Sequence, residues 1–182
     1  MFNEKEVVSN VLNGDLQAFG QLVKQYEQFV FYIIDKLIDN ENDKEDIAQE
    51  VFIKIYNNLE KFSFHSKLST WIASIAYRTA LNHVRDYKKY DRCITNEVNE
   101  AFSFTTETPE QLSEYKDIKQ YINQLLDEMP VPYKIVIVLY HFNELSYKEI
   151  EAVTGMPEGT IKTNLFRARK ILKEKIKNNG FF

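Results

Sequence analysis

The most informative stretch of this sequence is GTIKTNLFRARK, Gly159 to Lys170, where hydrogen-bonding side chains and cations recur at helical spacing. On a helix, Ile161, Leu165, Ala168 and Leu172 share one face, and Thr163, Phe166, Arg167 and Lys170 point the opposite way. Thr163 and Asn164 carry groups suited to base edges, and Arg167 can grip guanine or phosphate. The helix N-terminus at Gly159 and Thr160 can receive a phosphate. Lys162, Lys170 and Lys173 add cations that position rather than read. An ordinary helical hairpin with a basic exterior would also produce such charges. Phe166 argues against it, because a large aromatic among cations needs a partner, although a neighbouring helix would serve.

A second constellation lies in DKEDIAQEVFIKIYNNLEKF, Asp43 to Phe62. Here Ile47, Val51, Phe52, Ile55 and Leu59 fall on a core side. Asp46, Gln49, Glu50, Ile53, Tyr56 and Asn57 fall on the other. Solvated faces rarely choose Ile and Tyr, so this surface reads as a protein docking site with apolar anchors in an acidic rim. Burial against the first helices is the alternative.

The third is FSFHSKLSTWIASIAYRTALNHVRDYKKY, Phe62 to Tyr90: a polar loop, a Trp and a basic helix end. Aromatic and basic groups together can hold single-stranded bases by stacking and phosphate contact. The candidates are Phe64, Ser66, Lys67 and Ser69 in or beside the loop, and Arg78, Asn82 and Arg85 beyond it. Trp71 shares the apolar side of Ile72 and Ile75 and is expected in the core, with DNA contact as the alternative.

These groups must be positioned by helices. Five glycines and four prolines, mostly between apolar-periodic stretches, predict an all-α chain with short connections. A short helix near Glu4 to Leu12 stops at Gly14, and Asp15 caps a longer one to about Ile38. The next begins at Asp43, and another spans 69–89. From Tyr90 to Pro109 periodicity fails, which predicts a linker over 91–108. Thr108, Pro109 and Gln111 then form a helix start. Leu112, Tyr115, Ile118, Ile122, Leu125 and Met129 continue as a buried stripe. The expected organisation is therefore two small helical domains, residues 1–90 and 109–182. YKIVIVLYHF, from Tyr133, has strand propensity but no partner strand, so helix is expected. Ser146 and Glu149 form a capping box, and Gly155 permits the tight turn of a helix-turn-helix.

Composition bounds the answer. With 44% hydrophobic and 27% charged residues, the chain can bury cores. No apolar run spans a bilayer and no secretory signal opens the sequence, so a cytoplasmic protein is expected. Cys93, the single cysteine, lies in the expected linker and allows no internal disulfide. The net charge of −4 argues against nucleic acid until its distribution is considered. Cations cluster at Lys162 to Lys177, and again at Arg78, Arg85, Lys88, Lys89 and Arg92, which suggests two anion-binding surfaces. An enzyme finds little support: His65, His83 and His141 sit apart, and neither a phosphate-binding glycine loop nor a metal-ligand motif is present. No cofactor, metal or small-molecule substrate is expected.

In both halves the residues resemble the sigma-70 family of RNA polymerase sigma factors, specifically its extracytoplasmic-function (ECF) branch. Asp46-Ile47-Ala48-Gln49-Glu50 followed by Phe52 resembles the region that docks on the β′ clamp helices of core RNA polymerase. Ser69-Thr70-Trp71-Ile72 with Ile75-Ala76 resembles the region that melts and reads the minus-ten element. Gly159-Thr160-Ile161-Lys162 and Phe166-Arg167-Ala168-Arg169 resemble the helix that reads the minus-thirty-five element. Arg78, Asn82, Glu151 and Asn164 depart from the Asn, Asp, Ala and Arg or Lys commoner in relatives, so promoter preference does not transfer from them.

The resemblance implies a sigma region 2 bundle and a sigma region 4 helix-turn-helix, contacts with β′ and β subunits and promoter DNA, and an anti-sigma partner. It also implies a linker threading toward the active-site channel, and a loop from Phe64 to Ser69 that captures an unstacked base. The competing class is a one-component helix-turn-helix regulator acting without core polymerase.

Overall fold

The computed structural model describes residues 2–94 and 114–178, and every regular element among them is helical. The helices are α1 (Glu4–Leu12), α2 (Leu16–Asp35), α3 (Glu41–Asn58), α4 (Leu68–Ile94), α5 (Glu114–Asp127), α6 (Val131–Ile137), α7 (Tyr147–Thr154) and α8 (Glu158–Asn178). A 3₁₀ turn, Leu59–Lys61, follows α3.

Local chemistry sets the first three starts. Asn3 accepts from the Glu6 amide, and Asp15 Oδ1 accepts from the Gln17 and Ala18 amides at 2.8 and 3.1 Å. Asn40 accepts from the Asn42 amide at 3.1 Å, so α3 starts at Glu41, ahead of the expected Asp43. Gly14, at φ +90°, makes the corner between α1 and α2.

The first lobe packs α2 against α1, α3 and α4, with α3 also on α4. Ala18, Leu22, Tyr26, Val30, Ile33 and Ile34 form the buried stripe of α2. Across from it lie Ile47, Val51 and Ile55 of α3, and Leu68, Ile72, Ala73, Ala76 and Ala80 of α4. Each large aliphatic group buried there contributes about 1.5–3 kcal/mol.

The second lobe packs α6 and α7 against α8. YKIVIVLYHF is helical, as expected. It passes from α6 into a π turn, Val138–Phe142, closed by the Asn143 amide donating to the Val138 carbonyl at 3.1 Å. Residues 134–139 are all buried, so the segment is covered on every side and has no helical stripe.

Two further expectations on boundaries change. α2 ends at Asp35, and Leu37 and Ile38 remain buried in the turn beyond it. α4 runs to Ile94, which takes Cys93 out of the expected linker and into the last turn of the helix. The rest of that linker and the helix start at Thr108, Pro109 and Gln111 lie outside the described residues.

The lobes touch. α7 packs against α4, and one apolar cluster runs through both. Among the described residues, no helix is long and apolar enough to cross a membrane.

Candidate functional site

On α3 the period of 3.6 sends Ile47, Val51 and Ile55 inward and leaves Asp46, Gln49, Glu50, Ile53, Tyr56 and Asn57 exposed. Ile53 is 59% and Tyr56 41% exposed, so burial against the first helices does not account for them. Phe19 of α2 meets the Tyr56 ring edge-on at 4.9 Å and restrains it. Glu50 pairs with Lys54 at 2.6 Å, on the flank of the patch.

Between α3 and α4 the structure places a cradle of different character. Phe64 is 44% exposed, at φ +57°, and its ring centre lies 4.6 Å from that of Phe62. Phe62 in turn lies 5.4 Å from Trp71, so the buried Phe62 ring links exposed Phe64 to Trp71. Trp71 is half-buried: it packs on the core and also lines an open cleft of about 370 Å³. The core expectation for Trp71 is thus met in part, and its other side lines the cleft.

Lys54, Asn58 and Lys61 form one wall of the cleft, and Ile75, Arg78, Thr79 and Asn82 the other. Aromatic and apolar surface between cations and amides is what an unstacked base with its phosphates requires. Lys54, Asn58 and Lys61 were missed from sequence, although their i, i+4, i+7 spacing puts them on one face. Lys54 Nζ donates to Thr79 Oγ1 at 3.3 Å, and Lys61 Nζ to Asn58 Oδ1 at 2.9 Å. Arg85, like Arg78 and Asn82, is exposed. Ser66 and Lys67 are exposed in the loop, and Ser69 is half-buried in the first turn of α4.

The helix-turn-helix is built by caps. Ser146 Oγ accepts from the Glu149 amide, and Glu149 Oε2 accepts from the Ser146 amide at 2.7 Å. Gly155 closes α7 at φ +74°, a left-handed conformation suited to glycine. Glu151 points to solvent, so it does not disturb α7. Burial acts to raise the Glu149 carboxyl, but hydrogen bonds from Ser146 and Lys67 outweigh it and hold the group down to about 2.

Along α8, Ile161, Leu165 and Ala168 are buried, and Gly159, Thr160, Lys162, Thr163, Arg167 and Lys170 are exposed. Phe166 is 68% exposed, and no helix among the described residues covers it. Thr163 Oγ1 donates to the Gly159 carbonyl at 2.9 Å, and Arg167 Nη1 donates to Tyr133 Oη at 3.4 Å. Lys162 pairs with Glu158 at 2.6 Å and lies over the Tyr147 ring. Among the described residues Lys170 has only the distant carboxylate of Glu174, at 3.9 Å.

Asn164, unlike the other α8 candidates, is buried. It is 8% exposed and its Nδ2 meets Met156 Sδ at 3.7 Å, so its amide faces the turn and not a groove. Its position, three residues after Ile161 and beside Leu165, is an edge of the buried stripe.

Two family models match this chain: sigma-70 region 2 over residues 22–90, and sigma-70 region 4 over residues 119–172. The chain is 31% identical to the ECF RNA polymerase sigma factor SigW of Bacillus subtilis, covering 96% of this chain and 97% of that protein. Identity is also 31% with the RNA polymerase sigma-H factor of Pseudomonas aeruginosa, over 93% of this chain and 91% of that one. Among solved structures, the fold resembles the sigma factor RpoE in its complex with the anti-sigma factor NepR from Bartonella quintana. There the TM-score is 0.68 at 21% identity, covering 87% of this chain and 96% of that one. It also resembles CnrH in complex with the cytosolic domain of CnrY, with a TM-score of 0.65 at 19% identity over 96% and 97% of the two chains. At these identities the structural likeness speaks for the fold.

Proposed function

Since this chain belongs to the sigma-70 family, we propose that its surfaces divide one task, the α3 face fastening to core RNA polymerase, the α3–α4 cradle holding an opened strand, and α8 gripping upstream duplex. The protein is a sigma factor of the ECF type: it binds core polymerase and directs it to promoters, where it initiates transcription. Its partners are core polymerase, promoter DNA and an anti-sigma factor. Work alongside the polymerase places it in the cytoplasm, and none of these steps calls for covalent chemistry.

One observation carries the division of labour. Ile53 and Tyr56 are exposed together inside a polar rim, while Phe166 and the cations of α8 are exposed on the other lobe. An apolar anchor in an acidic rim fits a protein groove, and a basic helix with an exposed aromatic fits duplex.

Residues 22–90 and the 119–172 segment act as the two working units, joined by the segment between them. Asp46, Gln49, Glu50, Ile53 and Tyr56 contact the β′ clamp helices. Phe64, Ser66, Lys67, Ser69, Arg78, Asn82 and Arg85 hold the non-template strand, with Lys54 and Lys61 adding charge from the opposite wall. Gly159, Thr160, Lys162, Thr163, Phe166, Arg167 and Lys170 meet the upstream element. Strand opening follows from differential binding, because this surface holds the melted strand more tightly than the duplex.

A gel shift on a responsive promoter, with and without core polymerase from the native host, tests the proposal. Expected is a specific complex only when core is present. A specific complex of equal affinity without core would identify a one-component regulator.

A further inference from the structure

The cations of α8 are held unequally. Lys162 and Arg169 lie along one edge of its exposed face, Arg167 lies along the other, and Thr163, Phe166 and Lys170 fall between. Each edge cation meets a tyrosine from α6, the π turn or α7. Arg167 Nη1 donates to Tyr133 Oη at 3.4 Å. The Arg169 guanidinium lies 5.3 Å from the Tyr140 ring centre and donates to His141 Nε2 at 3.0 and 3.2 Å. The Lys162 ammonium, which Glu158 also holds at 2.6 Å, lies 5.4 Å from the Tyr147 ring centre.

The tyrosines are themselves fixed. Tyr140 and Tyr147 stack at 5.2 Å with 18° between their planes. All three rings pack on the core and keep part of their surface in solvent.

A long cation that is ordered only on binding gives up its side-chain freedom at that moment, whereas one already seated against a ring or hydroxyl has lost part of it in the free protein. Seating changes no charge, so the attraction of α8 to duplex of any sequence is the same with or without it. What it changes is whether the two edges of the helix meet the backbone walls of the groove in a single register, with Thr163 and Phe166 facing the bases between them.

We infer that Tyr133, Tyr140 and Tyr147 are positioning residues for promoter recognition: they set Arg167, Arg169 and Lys162 in the free chain and so convert the charge of α8 into discrimination between duplex sequences. Lys170, which has no such seat among the described residues, supplies affinity that is blind to sequence.

This inference rests on the reading of α8 as the helix that meets upstream duplex, and the test separates the two. Holoenzyme carrying wild type, Tyr147→Leu or Tyr147→Phe is titrated, over a range of salt concentrations, with a responsive promoter and with a copy whose upstream element is scrambled. The ratio of the two affinities measures discrimination. Tyr147→Leu should lower that ratio at least about threefold, with the scrambled copy bound as by wild type and the salt dependence unchanged. Tyr147→Phe keeps a ring beneath Lys162 and should restore the ratio. An unchanged ratio for Tyr147→Leu, whether both duplexes are bound as before or both more weakly, would overturn the inference. Equal affinity of wild type for the two duplexes would instead remove the upstream role of α8, and the inference with it.

Should Tyr147→Leu lower helicity by circular dichroism, Tyr133→Phe carries the test, because it removes one hydroxyl and keeps the packed ring. It should lower the ratio at least about twofold in wild type and leave it unchanged in an Arg167→Ala background, since it acts through that guanidinium. No loss in wild type, or an equal loss in both backgrounds, would overturn the inference.

Discussion

Lys36 and Asp127 meet at 2.8 Å across the junction of the lobes, and the lysine side chain is only 1% exposed although it carries a charge. Asp35 completes the arrangement at 2.9 Å. A buried ammonium is tolerated only when paired, so Lys36 is fixed by carboxylates from both lobes. Both carboxylates keep contact with water, at 30% and 52% exposure, which limits the cost of breaking the group.

Lys36→Ala is expected to destabilise the chain by roughly 1–3 kcal/mol, through lost packing of the stem and carboxylates left facing one another. Lys36→Met should cost less, because the aliphatic volume is kept. Urea unfolding midpoints give both values; equal stability of Lys36→Ala and wild type would mean that the junction adds nothing.

At Gly155 a β-carbon would meet no atom within 4 Å, so Gly155→Ala tests conformation alone. The left-handed φ of +74° should make this substitution cost about 1–2 kcal/mol. A thermal scan of the full chain measures it. No loss would mean that the turn between α7 and α8 tolerates another conformation.

His141 gives the chain a pH dependence. Arg169 Nε donates to His141 Nε2 at 3.2 Å, so the ring must be neutral there, and burial, then the Arg169 charge, push its pKa below the usual value. With the folded value lower than the unfolded one of about 6.5, this contribution is complete above that pH and declines as pH falls through it. Unfolding free energies at pH 7.5 and 5.5 should therefore fall further for wild type than for His141→Gln. An identical pH slope for the two proteins would refute the assignment.

On α8, Arg167→Ala should weaken upstream promoter binding by roughly 1–3 kcal/mol if the guanidinium reads a base. Asn164→Ala should leave the upstream footprint unchanged, since its amide is turned to Met156. Footprinting of holoenzyme on one promoter compares them. Loss of upstream protection with Asn164→Ala would return that residue to the DNA face.

Much of this architecture was legible because its signals are local. Asp15, Ser146, Glu149 and Gly155 each satisfy or terminate a helix within a few residues, and each does so where the spacing placed it. The α3 face was readable for the same reason, since 3.6-residue periodicity separates Ile47 and Val51 from Ile53 and Tyr56. Contacts between distant segments leave no such trace. Burial of Lys36, Lys44 and Lys134 was not readable, because beside the local carboxylates Asp35 and Glu41 it depends on distant ones, Asp127 of α5 for Lys36 and Lys134 and Asp35 of α2 for Lys44. The burial of Asn164 was not readable, because a helical wheel is least decisive at the border between faces. The positive φ of Phe64 was invisible because a non-glycine adopts it only under tertiary constraint.

Affinity for core RNA polymerase, measured for wild type and for Gln49→Ala/Tyr56→Ala with matched helicity, bears most directly on the role of the α3 face. Wild type is expected to bind with a dissociation constant at or below about 1 μM, and the double variant at least roughly tenfold more weakly, a difference of about 1.4 kcal/mol. Equal binding by the two proteins would contradict the docking assignment, and absence of binding by wild type would contradict the function itself.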